Sequence, residues 1–152
     1  MKITELVYCK GKDDFLKQIE NCDWAAAKFL TELIKEEKFE QTLGGWAKLY
    51  LLIENEKLVS FITLSAQDCI VAPDLSPALW LGFFFTLPEY RGHRYGKRLI
   101  DYACDVARNE GYGKVYIATD HIGLYEKYGF DYLENRTDIY GENCRIYCKT
   151  IR

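Results

Sequence analysis

At 152 residues, with 49% hydrophobic and 28% charged side chains, the chain has the composition of a soluble globular protein, and its length predicts a single domain over residues 1–152. A domain of this size buries roughly 70% of its unfolded surface, so neither a disulfide nor a metal is needed to explain folding. The net charge of −3 argues against a protein built to grip nucleic acid, and no apolar run reaches the ~20 residues of a membrane span.

Residues 3–8 read as a first short strand. Asp13 and Asp14 then supply an N-cap candidate and a first-turn acid. Phe15, Ile19, Trp24, Ala27, Leu30, Leu33 and Ile34 follow at helical spacing, which predicts two helices broken around residues 21–23. Gly44 and Gly45 end this region. Residues 46–53 and 58–64 are apolar runs around a polar turn at residues 54–57, which predicts an antiparallel hairpin with a four-residue connection. Residues 67–78 hold Pro73, Pro77, Asp68 and Asp74 and read as a loop.

Residues 79–86 are an unbroken apolar run, the pattern of a central strand buried on both faces, and Pro88 closes it. Leu99, Ile100, Ala103, Val106 and Ala107 then form a helical stripe, with Lys97, Arg98, Asp101, Asp105 and Arg108 on the other side. Gly111 and Gly113 stop that helix. Residues 114–118 read as a strand, 121–128 as a short helix with Gly129 as its C′ glycine, and 130–134 and 144–149 as a closing pair of strands. The order predicts a mixed α/β sheet, flanked by helices, with a parallel crossover where strand, basic loop, helix and strand follow one another.

The six cysteines form no CxxC pair. Cys144 and Cys148, four apart in a strand, fall on one face, and His93 and His121 are too remote in sequence to complete a zinc set with them, so no metal is expected. Residues 1–10 are too short and polar a run for a secretory signal. The expectation is a cytoplasmic protein with reduced thiols that act as small core hydrophobes.

The chemistry concentrates at residues 86–97, where a buried strand meets an amphipathic helix. Arg91, His93, Arg94, Lys97 and Arg98 crowd there in a chain that is otherwise acidic. A helix start leaves backbone N–H groups unpaired and partly positive, glycines let a phosphate approach them, and arginine adds charge-assisted bonds. The segment is suited to an anion such as a pyrophosphate; the bland alternative is a basic helix start in solvent.

Residues 88–100 resemble the acetyl-CoA signature of the GNAT acetyltransferase superfamily, which reads Arg or Gln, two residues, Gly, one residue, then Gly or Ala. Arg91 and Gly96 match its ends, while Arg94 stands where the first glycine is usual, a side chain that a negative φ would tolerate. Downstream, Tyr125, Gly129 and Phe130 match the family's Tyr-x-x-x-Gly-Phe segment. With the strand pattern, the resemblance covers the chain from about residue 46 onward.

The resemblance implies a mixed, mostly antiparallel GNAT sheet with a parallel crossover pair at the acetyl-CoA site. Backbone groups of Phe84, Phe85 and Thr86 would pair with the pantetheine arm of acetyl-CoA. Arg91, Gly92, His93, Arg94, Tyr95, Gly96 and Lys97 would hold the pyrophosphate, and Tyr125 would protonate the departing thiolate, with Tyr128 left to pack the core. The implied activity is acetyl transfer to a primary amine of a small molecule or peptide, with no nucleic-acid or membrane partner, and a homodimer is compatible with the family. A non-catalytic acyl-CoA-binding sensor is the alternative.

The amine also needs a base, since an alkylamine with a pKa near 10 is protonated at pH 7. Asp120, His121, Asp68, Asp74 and a water chain are the candidates, with Asp120 also a helix N-cap candidate. Tyr132, Tyr140, Tyr147, Trp46 and Trp80 are candidates for a pocket or, for most of them, the core.

Overall fold

In the computed structural model, which describes residues 1–152, strand β1 (Lys2–Glu5) is shorter than the pattern of residues 3–8 predicts. Leu6–Tyr8 curls into a 3₁₀ turn closed by the Cys9 N–H on the Leu6 carbonyl (3.0 Å), which buries Leu6 and turns Val7 and Tyr8 to solvent. Helices α1 (Lys12–Glu20) and α2 (Ala25–Lys35) break where the pattern broke, and a further short helix, α3 (Phe39–Leu43), precedes Gly44. The α1 N-cap is Gly11 at φ +76°, not an aspartate. Asp13 and Asp14 sit inside the first turn, where their charge faces the positive helix end.

Strands β2 (Lys48–Glu54) and β3 (Lys57–Ser65) form the hairpin, but with a two-residue turn. The ladder runs on to Glu54↔Lys57 because Asn55 and Glu56 both take positive φ (50° and 65°), the conformation that matches strand twist in a tight hairpin. Strands β4 (Leu79–Thr86) and β5 (Lys114–Thr119) flank helix α4 (Tyr95–Asn109), and β6 (Asp131–Thr137) and β7 (Asn143–Thr150) close the chain, both longer than their apolar cores. Sheet order is β1-β2-β3-β4-β5-β7-β6, with β4–β5 the one parallel pair.

The sheet is covered on both sides. Leu99, Ile100, Ala103 and Ala107 of α4 pack on one face against residues such as Leu79, Leu81, Val115 and Ile117. On the other face α1 and α2 bring Phe15, Ile19 and Leu30 onto Leu49, Leu51 and Phe61. Each such Leu, Ile or Phe contributes about 1.5–3 kcal/mol by leaving water. Cys144 and Cys148 share a face, as their spacing predicts, and pack beside Trp80, Tyr116 and Ile146. No helix is long and apolar enough to cross a membrane.

Two departures shape the centre of the molecule. The helix expected at residues 121–128 does not form: Gly123 takes φ +90°, and only a 3₁₀ turn, Tyr125–Tyr128, remains, ended by Gly129 at φ +86°. Strand β4 is buried only over its first three residues, because its pairing with β5 stops at Leu81↔Ile117. Past that point Gly82 to Thr86 are half-open. A bulge opposite Phe61 and Thr63, with Phe83 at φ +45°, bends the strand further from its neighbour.

Candidate active site

A cavity of about 650 Å³ fills the gap between the splayed strands. It is lined from β4 by Phe84, Phe85 and Thr86, and from the basic loop and helix start by Arg91, Gly92, Arg94, Tyr95 and Gly96. Tyr125 lines it from below. Nine of the eleven residues singled out in the sequence therefore converge on one space. His93 stands outside the lining, stacked on Tyr95 with ring centroids 5.4 Å apart, and Lys97 is turned to Asp101 at 2.7 Å.

The loop before α4 is an unfilled set of donors. The first helical bond there is Arg98 N–H to the Arg94 carbonyl, and the six backbone N–H groups of residues 92–97 find no acceptor in the protein. Gly92 and Arg94 both lie in the left-handed region (φ +86° and +60°), so the chain curls with its amides facing inward, the form of an anion-binding nest. Arg94 thus keeps the glycine-like backbone of the motif rather than the negative φ that would have suited its side chain. A left-handed non-glycine residue costs about 1–2 kcal/mol. Arg91 is anchored by its Nε on the Thr86 carbonyl (2.9 Å) and lies 5.1 Å from the Phe85 ring centre, which leaves its terminal N–H groups free.

Gly129 explains the position of Tyr125. Its left-handed turn lets the Phe130 N–H reach back to the Tyr125 carbonyl (3.1 Å) and sets the Phe130 ring edge-on to Tyr125, with centroids 6.1 Å apart. Tyr147 and Phe84 add rings at 6.0 and 6.3 Å. Burial is the main reason that the Tyr125 phenol holds its proton well above the ordinary tyrosine range; Tyr128 and Asp120 add to the shift and the neighbouring Thr119 hydroxyl partly offsets it. Tyr125 is therefore a neutral proton donor at pH 7. Tyr128, expected to pack the core, is the more open of the two and also lines the cavity.

The acids sort themselves by geometry. Asp74 is paired with Arg136 through two bonds (2.9 and 2.5 Å), away from the cavity. Asp120 and His121 line the cavity's exposed rim, and neither caps a helix. Asp138 accepts the Tyr140 and Glu142 N–H groups (2.8 and 2.9 Å) and so closes the β6–β7 turn. Trp80 and Tyr147 are core residues and Trp46 packs against the core, whereas Tyr132 and Tyr140 are exposed; none of the five lines the cavity.

Sequence reasoning missed Trp24, Tyr90 and the β5 residues 117–119. Trp24 was legible only as part of a helical stripe, yet it precedes α2 in extended backbone and stacks on Phe85 (5.3 Å, 13°), walling the cavity on the α2 side.

No curated protein sequence matches the chain. Solved structures do share its fold. A GNAT-family protein from Desulfovibrio desulfuricans superposes with a TM-score of 0.74 at 15% identity over 99% of both chains. An acetyltransferase from Streptococcus agalactiae gives 0.68 at 23% over 98% of this chain and 97% of that one. An aminoglycoside 6′-N-acetyltransferase complexed with coenzyme A gives 0.69 at 16% over 100% and 98%. The sequence profile described as the Acetyltransferase (GNAT) family matches residues 14–130, from the first turn of α1 through the Gly-Phe pair, and the chain belongs to that family.

Proposed function

We propose that residues 1–152 act as one domain that transfers the acetyl group of acetyl-CoA to a primary amine of a small molecule or peptide by direct attack on the thioester. The observation that carries this reading is the run of six unbonded N–H groups at residues 92–97, placed at the mouth of a cavity whose floor holds the neutral phenol of Tyr125. A pyrophosphate fits those donors by charge and by hydrogen-bonding capacity. The gap beyond Leu81↔Ile117 suits an extended amide-bearing arm along Phe84 to Thr86. The coenzyme A complex of the aminoglycoside acetyltransferase with the same fold supports the choice of donor.

The residues then have distinct work. The amides of residues 92–97, with Arg91 and Arg94, bind and orient the donor. Phe84, Phe85 and Trp24 keep water from its thioester end. As the amine's lone pair forms the C–N bond and the C–S bond breaks, Tyr125 gives its hydroxyl proton to the leaving sulfur. A thiolate with a pKa near that of cysteine, about 8.5, leaves more readily with this assistance.

Thiol release from acetyl-CoA with a panel of primary amines, on wild type and Tyr125→Phe, tests the reading. Amine-dependent release that falls about 10²-fold in the variant, with coenzyme A affinity retained, supports it. Tight coenzyme A binding with no turnover on any amine would instead identify a sensor.

A further inference from the structure

The cavity passes through the sheet. Leu79 and Leu81 point to the α4 face, so Trp80 and Gly82, alternating with them, point to the opposite one. There the cavity is bounded by Trp24, Phe83 and Ala118, and it meets β4 at Gly82. Asp68, three residues beyond the end of β3, comes up against this point. A methyl group on Gly82 would sit 3.2 Å from Asp68 Oδ2 and 3.0 Å from Thr63 Oγ1. Glycine at 82 is thus what lets the carboxylate approach the strand at the cavity wall.

The two oxygens of Asp68 are unlike. Oδ1 accepts the N–H of Cys69 (2.6 Å), while Oδ2 has no N–H or O–H donor in the protein. No lysine or arginine pairs with it. Its charged and titratable neighbours are the Cys69 thiol, the Cys144 thiol of β7 and, from the β6–β7 turn, Asp138, and none is a cation. Burial, with a smaller contribution from Asp138, raises its pKa above the carboxylate range, against the pull of the Cys69 N–H and the Cys69 thiol. Asp68 is half-buried and has no counter-charge of its own, so its free oxygen is open to a cation from outside. The other acids are accounted for: Asp74 by Arg136, Asp138 by its turn, and Asp120 by solvent at the rim.

We infer that Asp68, reached past Gly82 from the face opposite α4, receives the protonated acceptor amine and takes the proton the amine must lose before it attacks. This rests on the reading of the chain as an N-acetyltransferase. The ammonium gives one proton to Oδ2, leaving a neutral amine and a carboxylic acid. The amine's lone pair forms the C–N bond, the C–S bond breaks, and the sulfur leaves with its electron pair and the Tyr125 proton. The second proton on nitrogen returns to the Tyr125 phenolate, and Asp68 releases its own to solvent, so the turnover yields amide, thiol and one proton.

The test uses Asp68→Asn, which keeps an acceptor for the Cys69 N–H, with phenethylamine, spermidine and kanamycin A as probes. Thiol release is followed between about pH 6.5 and 9.5, beside coenzyme A affinity and thermal melting. The expected result is unchanged coenzyme A affinity and a kcat/KM for amine lowered about 10²-fold at pH 7. That deficit narrows by about tenfold per pH unit as the free amine is supplied by solution. A merely structural role would lower the rate by the same factor at every pH, and that outcome overturns the inference. So does a variant with wild-type rates and pH profile, in which case acetyl transfer itself stands. Wild type that binds coenzyme A but turns over none of the probes overturns both readings. If Asp68→Asn does not fold, Gly82→Ala substitutes, since its methyl displaces Oδ2. A KM for amine raised at least about tenfold, with coenzyme A affinity kept, is then expected, and an unchanged KM overturns the inference.

Discussion

Gly96 in the first turn of α4 lies so close to Phe84 of β4 that a methyl group on the glycine would sit 2.6 Å from Phe84 Cζ and 3.2 Å from Thr86 Oγ1. The helix start is thereby pressed onto the half-open end of the strand, which brings the free amides of residues 92–97 to the cavity mouth. The glycine serves this approach and not backbone freedom, since it sits within a regular helix.

That contact fixes the sign of a substitution. Alanine is the better helix former by about 1 kcal/mol, so Gly96→Ala would stabilise a free helix. Here the overpacking costs about 1–3 kcal/mol and prevails. The variant is expected to melt at lower temperature and to bind coenzyme A at least about tenfold more weakly, read by thermal denaturation and calorimetric titration.

Arg94 sets two effects against each other. Its left-handed backbone favours glycine, so Arg94→Gly is expected to raise stability by up to about 1 kcal/mol. The same change removes a guanidinium from the cavity lining and is expected to weaken coenzyme A binding roughly fivefold, the equivalent of about 1 kcal/mol at an exposed charge. A denaturant midpoint and an affinity that move in opposite directions would establish both; movement of the two together would contradict the strain argument.

Buried phenols make the protein sensitive to alkali. Burial is the first cause that raises Tyr50 and Tyr125 in the folded state, so at high pH the unfolded chain loses protons that the folded one keeps. Their contribution is fully present below about pH 10, the unfolded value, and is lost as pH rises from there toward the folded-state values. Absorbance titration of the tyrosines is the measurement that checks this. A late, cooperative step that coincides with unfolding is expected. A single gradual titration of all tyrosines would contradict this.

The periodic signals in the sequence translated directly where packing alone decides. The α4 stripe and the apolar run of β4 are such cases, and so is the left-handed glycine at 129. The anion nest was legible because glycines, arginines and a helix start coincide within a few residues. Its backbone was not, since residue type suggested that Arg94 would avoid the very conformation that the loop imposes. The helix expected at residues 121–128 failed because Gly123 interrupts a segment too short to nucleate. Trp24 was hidden for another reason. It comes from the chain's first quarter, and only the splay of β4 from β5 opens the cavity that it walls.

That splay has a thermodynamic consequence. A sheet that stops pairing halfway along its one parallel ladder leaves the folded protein short of bonds that a ligand can supply, so occupancy and stability are linked quantities. A ligand that lays an extended arm there binds the native chain and not the unfolded one, which adds about 2.7 kcal/mol at a hundredfold excess over its dissociation constant. The resting protein's melting point then reports how much ligand surrounds it, and amide hydrogen exchange at the open end of β4 and β5 should slow in proportion.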